Sequence, residues 1–162
     1  MKVGIVMGSI SDWPVMKEAE TILKEFGVEV DKRILSAHRT PMELEAWVKA
    51  ARDNGISTII AGAGGAAHLA GSVAALTTLP VIGVPVKSRS LGGFDSLLSM
   101  VQMPPGIPVA TVGVDGAKNA GLLAVEIMAL SSPELTQKLA EYRQKQVEKI
   151  LATKFPDQET EQ

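Results

Sequence analysis

The chain carries two histidines, His38 and His68. Imidazole is the side chain best suited to moving a proton near neutral pH, so their neighbours matter first. His38 sits in SAHRTP (36–41) beside Arg39, and His68 closes GAGGAAH (62–68). Arg39 offers the planar fork of donors that grips phosphate or carboxylate. Taken singly, each histidine reads as a structural or exposed residue, and Arg39 as a solvated surface arginine. A metal site is not expected, because the histidines lie 30 residues apart, with neither HxH nor HExxH spacing and no third ligand beyond scattered Asp and Glu.

Two further stretches have the composition of ligand loops. GSISD (8–12) combines a glycine with hydroxyls at the opening of a helix, where backbone N–H groups and the helix dipole favour an anion. The plainer reading is a turn whose Ser11 or Asp12 caps the helix. GAGGAAH has three glycines in four positions, more than a tight turn needs, and glycine lets backbone approach a ligand closely. GxGxxG, GxxxxGK[ST] and GxSxG are all absent, so dinucleotide, P-loop and nucleophile-elbow readings are weak and a single phosphate on a small ligand fits better.

These stretches are positioned by an alternation of short apolar runs and longer amphipathic segments. Strands are expected at about 2–7, 28–36, 57–62, 80–86 and 107–114, the second more polar and nearer an edge. WPVMKEAETILKEFG repeats Val15, Met16, Ala19, Ile22, Leu23 and Phe26 at helical spacing, with Asp12 as N-cap, Pro14 in the first turn and Gly27 as terminator. PMELEAWVKAARDNG is a second helix, with Thr40 as N-cap and Gly55 closing it. AAHLAGSVAALTT, 94–103, GAKNAGLLAVEIMALS and 131–151 are further helices, the last begun by Ser132 and Pro133. On that last helix Leu135, Leu139, Tyr142 and Ile150 share roughly one face, which could close the core or pack on another subunit. The tail FPDQETEQ (155–162) is expected to fray.

Strands alternating with helices imply right-handed crossovers and a parallel sheet covered on both faces. Five strands fit a flavodoxin-like α/β/α sandwich of order 2-1-3-4-5, one domain over 1–162. GSISD, SAHRTP, GAGGAAH and KSRSLGGFD (87–95) all follow a strand, so they gather at one sheet edge, where open α/β sheets bind ligands. The helix-to-strand connections are plain by contrast.

Composition narrows the alternatives. Net charge is −2 without blocks of like charge, so neither nucleic acid nor an anionic membrane is an expected partner. With no cysteine, thiol nucleophiles, zinc thiolates and iron–sulfur clusters are excluded. No apolar run approaches the roughly 20 residues of a membrane span, and the N-terminal run is too short for a signal peptide, so a soluble cytoplasmic protein is the expectation.

Taken together, GSISDWP, SAHRTP, IIAGAGGAAHLAG, VPVKS, DSLLSMVQMPPGIPVAT and NAGLLA resemble the bacterial-type N5-carboxyaminoimidazole ribonucleotide mutase family of de novo purine biosynthesis, in order and at family spacing from about residue 3 to 150. The resemblance implies a homo-octamer whose C-terminal helix reaches a neighbouring subunit, and no metal, nucleotide or organic cofactor. It implies transfer of a carboxylate from the exocyclic nitrogen of an imidazole ribonucleotide to ring carbon 4. By matching position, Ser9, Ser11 and Asp12 would hold phosphate and ribose. Ser36, Ala37, His38 and Arg39 would lie along the substrate, with His38 as general acid–base and Arg39 on phosphate. Gly64, Gly65, Ala66 and Ala67 would wall the base and migrating carboxylate, and His68 and Leu69 would complete the pocket. The chain departs from the family's usual HLPG with HLAG, placing Ala70 where proline is common. Two other readings stand beside this one: a related carboxylase using free CO2, and a non-enzymatic flavodoxin-like module. GAGGAAHL favours the mutase, and the lack of an acidic cluster after the first strand disfavours a receiver domain.

Overall fold

A computed structural model describes residues 1–155. Strands β1 (Lys2–Met7), β2 (Glu29–Ile34), β3 (Ile56–Gly64), β4 (Val81–Val86) and β5 (Ala110–Thr111) form one parallel sheet in the order β2-β1-β3-β4-β5. Helices α1 (Trp13–Glu25), α2 (Pro41–Ala50), α3 (Leu69–Leu76), α4 (Phe94–Val101), α5 (Ala117–Ala129) and α6 (Pro133–Leu151) complete the flavodoxin-like arrangement. Among the described residues no helix is long and apolar enough to cross a membrane.

The apolar runs of the strands divide by parity. Val3, Ile5 and Met7 of β1, with Ile60, Ile82 and Val84, pack against Met16, Ile22 and Leu23 of α1 and Ala120, Ala124 and Val125 of α5. Val6, Ile59, Ala61, Ala63 and Val81 face the other way, toward Leu44 and Val48 of α2, Val73 of α3 and Met100 of α4. Both faces are buried, so the strands lack polar alternation. Each fully buried Ile or Leu contributes on the order of 1.5–3 kcal/mol by leaving water. Gly62 marks how closely α1 lies on the sheet: a Cβ there would come within 2.2 Å of Met16 Sδ.

Several boundaries differ from the sequence expectation for physical reasons. Strand β2 is the polar edge strand expected, with Lys32 paired to Glu20 and Arg33 to Asp31, but it ends at Ile34. Only Ala110 and Thr111 of the expected 107–114 strand join the ladder. Pro108 cannot donate to it, and beyond Val112, whose N–H reaches the Gly83 carbonyl (3.1 Å), the chain turns away through Asp115 at φ 57°. Gly27 (φ 76°) ends α1 in the left-handed conformation that favours glycine, whereas α2 stops at Ala50 and Gly55 (φ 80°), expected to close it, instead closes the turn that follows. Ser132 caps α6 through Leu135 N–H (3.4 Å). Asp12 and Thr40 occupy N-cap positions but make no side-chain cap bond. Their side chains are used in the loops described below.

Helix α6 serves the core only along its first half. Leu135 is buried, Leu139 and Tyr142 pack against the α1–α5 core, and the Tyr142 ring lies 5.6 Å from that of Phe26. Ile150, expected on the same face, is exposed, as are Val147 and Leu151. The tail from residue 156 onward, expected to fray, lies outside the described residues.

Candidate active site

The parallel sheet brings the ends of β1, β2, β3 and β4 to one edge, and four loops meet there around a cavity of about 450 Å³. That volume lies within the range of roughly 300–1,000 Å³ typical of small-molecule sites.

The first loop leaves β1 at Gly8, whose N–H donates to the Gly62 carbonyl (3.3 Å) and ties it to β3. Ser9 is extended, and its Oγ accepts from the Ser11 N–H (3.3 Å) and from the Ser11 hydroxyl (2.9 Å). Asp12 is nearly buried, and burial pushes its carboxyl above the ordinary 3.8, against the opposing influence of the Ser9 backbone, the Ser11 side chain and the Arg39 charge. Its side chain lines the cavity instead of capping α1.

The second loop is organised by Ser36, which is buried. Its Oγ accepts from the backbone N–H groups of His38 and Arg39 and from Arg39 Nε, each at 3.3 Å. Arg39 Nη2 also donates to the Gly8 carbonyl at 2.7 Å, locking the second loop to the first. Thr40 turns its hydroxyl back onto Ser36, accepting from that N–H at 2.8 Å and donating to that carbonyl at 3.2 Å. A residue expected to cap α2 therefore shapes the turn that presents His38.

The third loop follows β3. Gly65 has φ 71°, and two consecutive three-residue turns follow, Ala67 N–H to the Gly65 carbonyl (2.8 Å) and His68 N–H to the Ala66 carbonyl (2.9 Å). Helix α3 thus begins at Leu69, later than the composition suggested. The turns carry His68 across to His38, whose Nε2 lies 3.0 Å from His68 Nδ1, with the rings edge to face at 82°. The Gly65 N–H does not face a ligand: it donates to Ser96 Oγ at 2.8 Å.

The fourth loop supplies residues that the sequence reading left without a role. Lys87, Ser88 and Arg89 line the cavity beside Val86. The Lys87 N–H is held by Asp115 Oδ1 (2.9 Å), and the Ser88 hydroxyl donates to Asp95 Oδ1 (2.6 Å). The available signal was a pair of cations, Lys87 and Arg89, directly after a buried strand at the ligand-binding edge.

Of the residues singled out from sequence, Ser9, Ser11, Asp12, Ser36, Ala37, His38, Arg39, Gly64, Gly65, Ala66 and Leu69 line the cavity together, with Gly8 and Ala63. Ala67 lies buried beneath its wall, and His68 meets the site through His38. The lining holds three cations, Arg39, Lys87 and Arg89, and a single carboxylate, Asp12. Such a surplus of positive charge suits an anionic ligand, and an imidazole at its wall suits proton transfer. No group of three or more His, Cys, Asp or Glu that could hold a metal occurs among the described residues.

A family model described as AIR carboxylase matches residues 2–149. The N5-carboxyaminoimidazole ribonucleotide mutase of Pyrococcus abyssi is 62% identical over 143 residues, spanning 88% of this chain and 82% of that one. That of Vibrio cholerae is 52% identical over 161 residues, spanning 98% of this chain and 100% of that one. Among solved structures, Treponema denticola PurE superposes with a TM-score of 0.84 at 30% identity, covering 99% of both chains.

Proposed function

The chain belongs to the AIR carboxylase family, and on that premise we propose that it is an isomerase of purine biosynthesis that converts N5-carboxyaminoimidazole ribonucleotide to 4-carboxyaminoimidazole ribonucleotide. The observation that carries the reading is one cavity combining His38 with Arg39, Lys87 and Arg89. The substrate offers a phosphate and a carboxylate to those cations. Relatives 52–62% identical carry the mutase name over most of the chain.

In this reading Ser9, Ser11 and Asp12 hold the phosphate and ribose, with Asp12 accepting from the ribose hydroxyls. Ser36 and Ala37 lie along the nucleotide, and Arg39 pairs with the phosphate. Gly64, Gly65, Ala66, Ala67 and Leu69 wall the base and the migrating carboxylate. Lys87 and Arg89 add charge opposite the carboxylate.

The chemistry begins when His38 protonates the carbamate nitrogen. The C–N bond breaks, its electrons stay on nitrogen, and CO2 is released into the pocket. The aminoimidazole so formed is electron-rich at carbon 4 and attacks CO2, forming the new C–C bond. Loss of the carbon 4 proton to the same imidazole restores the aromatic ring and the enzyme. One proton is given and one recovered, so nothing is consumed and no metal or organic cofactor enters these steps. A wall of small residues keeps water and CO2 from exchanging.

We also propose that the enzyme works in the cytoplasm as a homo-octamer in which the outer half of α6 packs on a neighbouring subunit. Exposed Val147, Ile150 and Leu151 on that half support the assembly, since a run of apolar side chains left in water marks an interface.

The test is conversion of the carbamate by purified protein without added bicarbonate. Turnover under these conditions supports the mutase; turnover only of aminoimidazole ribonucleotide with bicarbonate assigns the chain to the carboxylase reaction instead.

A further inference from the structure

We propose that Ser96 is a positioning residue that keeps the CO2-holding wall of the cavity closed; this inference rests on the mutase reading above. Ser96 lies on α4 and is fully buried. A serine in mid-helix can return its hydroxyl to the carbonyl four residues back, as Ser99 on the same helix does, donating to the Asp95 carbonyl at 2.7 Å, with a longer approach to the Gly65 carbonyl at 3.4 Å. Ser96 does not. Its hydroxyl donates to the Val86 carbonyl at 2.7 Å and accepts from the Gly65 N–H at 2.8 Å. One oxygen thus joins the end of β4 to the loop after β3, and Val86 and Gly65 both line the cavity.

Neither partner has an obvious substitute. Gly65 stands at φ 71°, off the ladder, so its N–H has no strand to pair with. The seam beside it is tight, because a Cβ on Gly64 would come within 3.2 Å of the Val86 carbonyl oxygen. Without the serine hydroxyl, the Val86 carbonyl and the Gly65 N–H become unpaired polar groups in a protein wall. They draw water into the seam, and a wall that admits water also lets CO2 out.

The consequence is specific to a reaction that breaks one C–N bond before making a C–C bond. When the wall opens, protonation of the carbamate nitrogen still yields amine and CO2. The CO2 then escapes, and aminoimidazole ribonucleotide leaves without carboxylation at carbon 4. Ser96 therefore governs the fraction of cleavage events that end in product more than it governs nucleotide binding.

The experiment measures moles of 4-carboxylated product per mole of carbamate consumed, corrected for spontaneous loss in enzyme-free buffer. The wild type is compared with Ser96→Ala and Ser96→Cys, and product affinity and thermal melting are recorded alongside. Ser96→Ala, which removes both hydrogen bonds of the seam, is expected to lower the ratio about tenfold or more, each lost buried bond being worth about 1 kcal/mol, with product Kd changed less than about threefold. Ser96→Cys, a weak donor and weak acceptor, should fall between, and it carries the test alone if Ser96→Ala does not fold. An unchanged ratio, or a loss of activity that only follows the fraction folded, overturns the role. If the wild type itself leaves the carbamate unconverted, the mutase reading fails first and takes this inference with it.

Discussion

His38 Nε2 and His68 Nδ1 lie 3.0 Å apart, one ring edge-on to the face of the other. A hydrogen bond at this distance requires one nitrogen to carry a proton and the other to lack it. The tautomer of His38 is therefore tied to that of His68. His38 lines the cavity, and His68, exposed and outside the lining, touches His38. His38→Asn should lower turnover by roughly 10²–10⁴-fold, the usual worth of a general acid–base, while leaving product affinity nearly intact. His68→Ala should cost about tenfold, since the proton carrier remains but is no longer oriented. Single-turnover rates and equilibrium binding of both variants check the ranking, and near-normal turnover by His38→Asn would sink the acid–base role.

Arg39 bridges the loops, from Ser36 Oγ to the Gly8 carbonyl, and lines the cavity. Arg39→Ala should weaken nucleotide binding by roughly 10–100-fold, the scale of a lost hydrogen bond to a charged group. Arg39→Lys should not restore it, because an ammonium cannot serve both loops and a phosphate. Titration calorimetry with the product nucleotide reads this directly.

Asp12 gives a stability signature opposite to its proposed role in binding. Burial raises its carboxyl in the folded protein above the ordinary 3.8. Below 3.8 the group is neutral folded or unfolded, and above the raised folded value it is charged in both. The folded state holds the proton more tightly, so this group's contribution to stability falls as pH rises through that window. Asp12→Asn should therefore melt higher than wild type at neutral pH, with the difference vanishing in acid, and should bind nucleotide more weakly. Melting curves against pH and a binding titration test both halves.

Gly62 and Gly65 should fail for different reasons when replaced by alanine. At Gly62 the new methyl would collide with Met16, a side chain fully buried in the core, costing about 1–3 kcal/mol through overpacking. At Gly65 nothing lies within 4 Å of the new Cβ, but φ is 71°, so the cost is about 1–2 kcal/mol of backbone strain. Trimming Met16 should relieve the first and not the second, which denaturant unfolding of the double variants would show.

The sheet order and the converging loops were legible because buried parallel strands leave long apolar runs, and because ligand-edge loops differ in composition from those at the opposite edge. Strand β5 was over-read: IPVATVGV is apolar, but Pro108 and the turn at Asp115 leave room for one short pairing. Asp12 and Thr40 looked like caps, since a cap and a loop-facing side chain share one sequence signature. Lys87 and Arg89 were passed over because no spacing rule marks a pair of cations after a strand as a ligand site. That both histidines reach one sheet edge followed from topology. Their 3.0 Å contact depends on two tight turns after Gly65, which the string AAH does not disclose. Ser96 reads as an ordinary helix serine until its two partners are known.

On the proposed mechanism a carboxylate leaves nitrogen and rejoins carbon 4 of the same molecule within one cavity. The direct measurement is to supply carbamate labelled with carbon-13 in its carboxylate, in buffer containing excess unlabelled bicarbonate, and to read the product carboxylate by NMR. If the proposed mechanism holds, the product keeps the label. A product diluted to the isotopic composition of the bicarbonate would contradict it and show that the carboxylate arrives from solution.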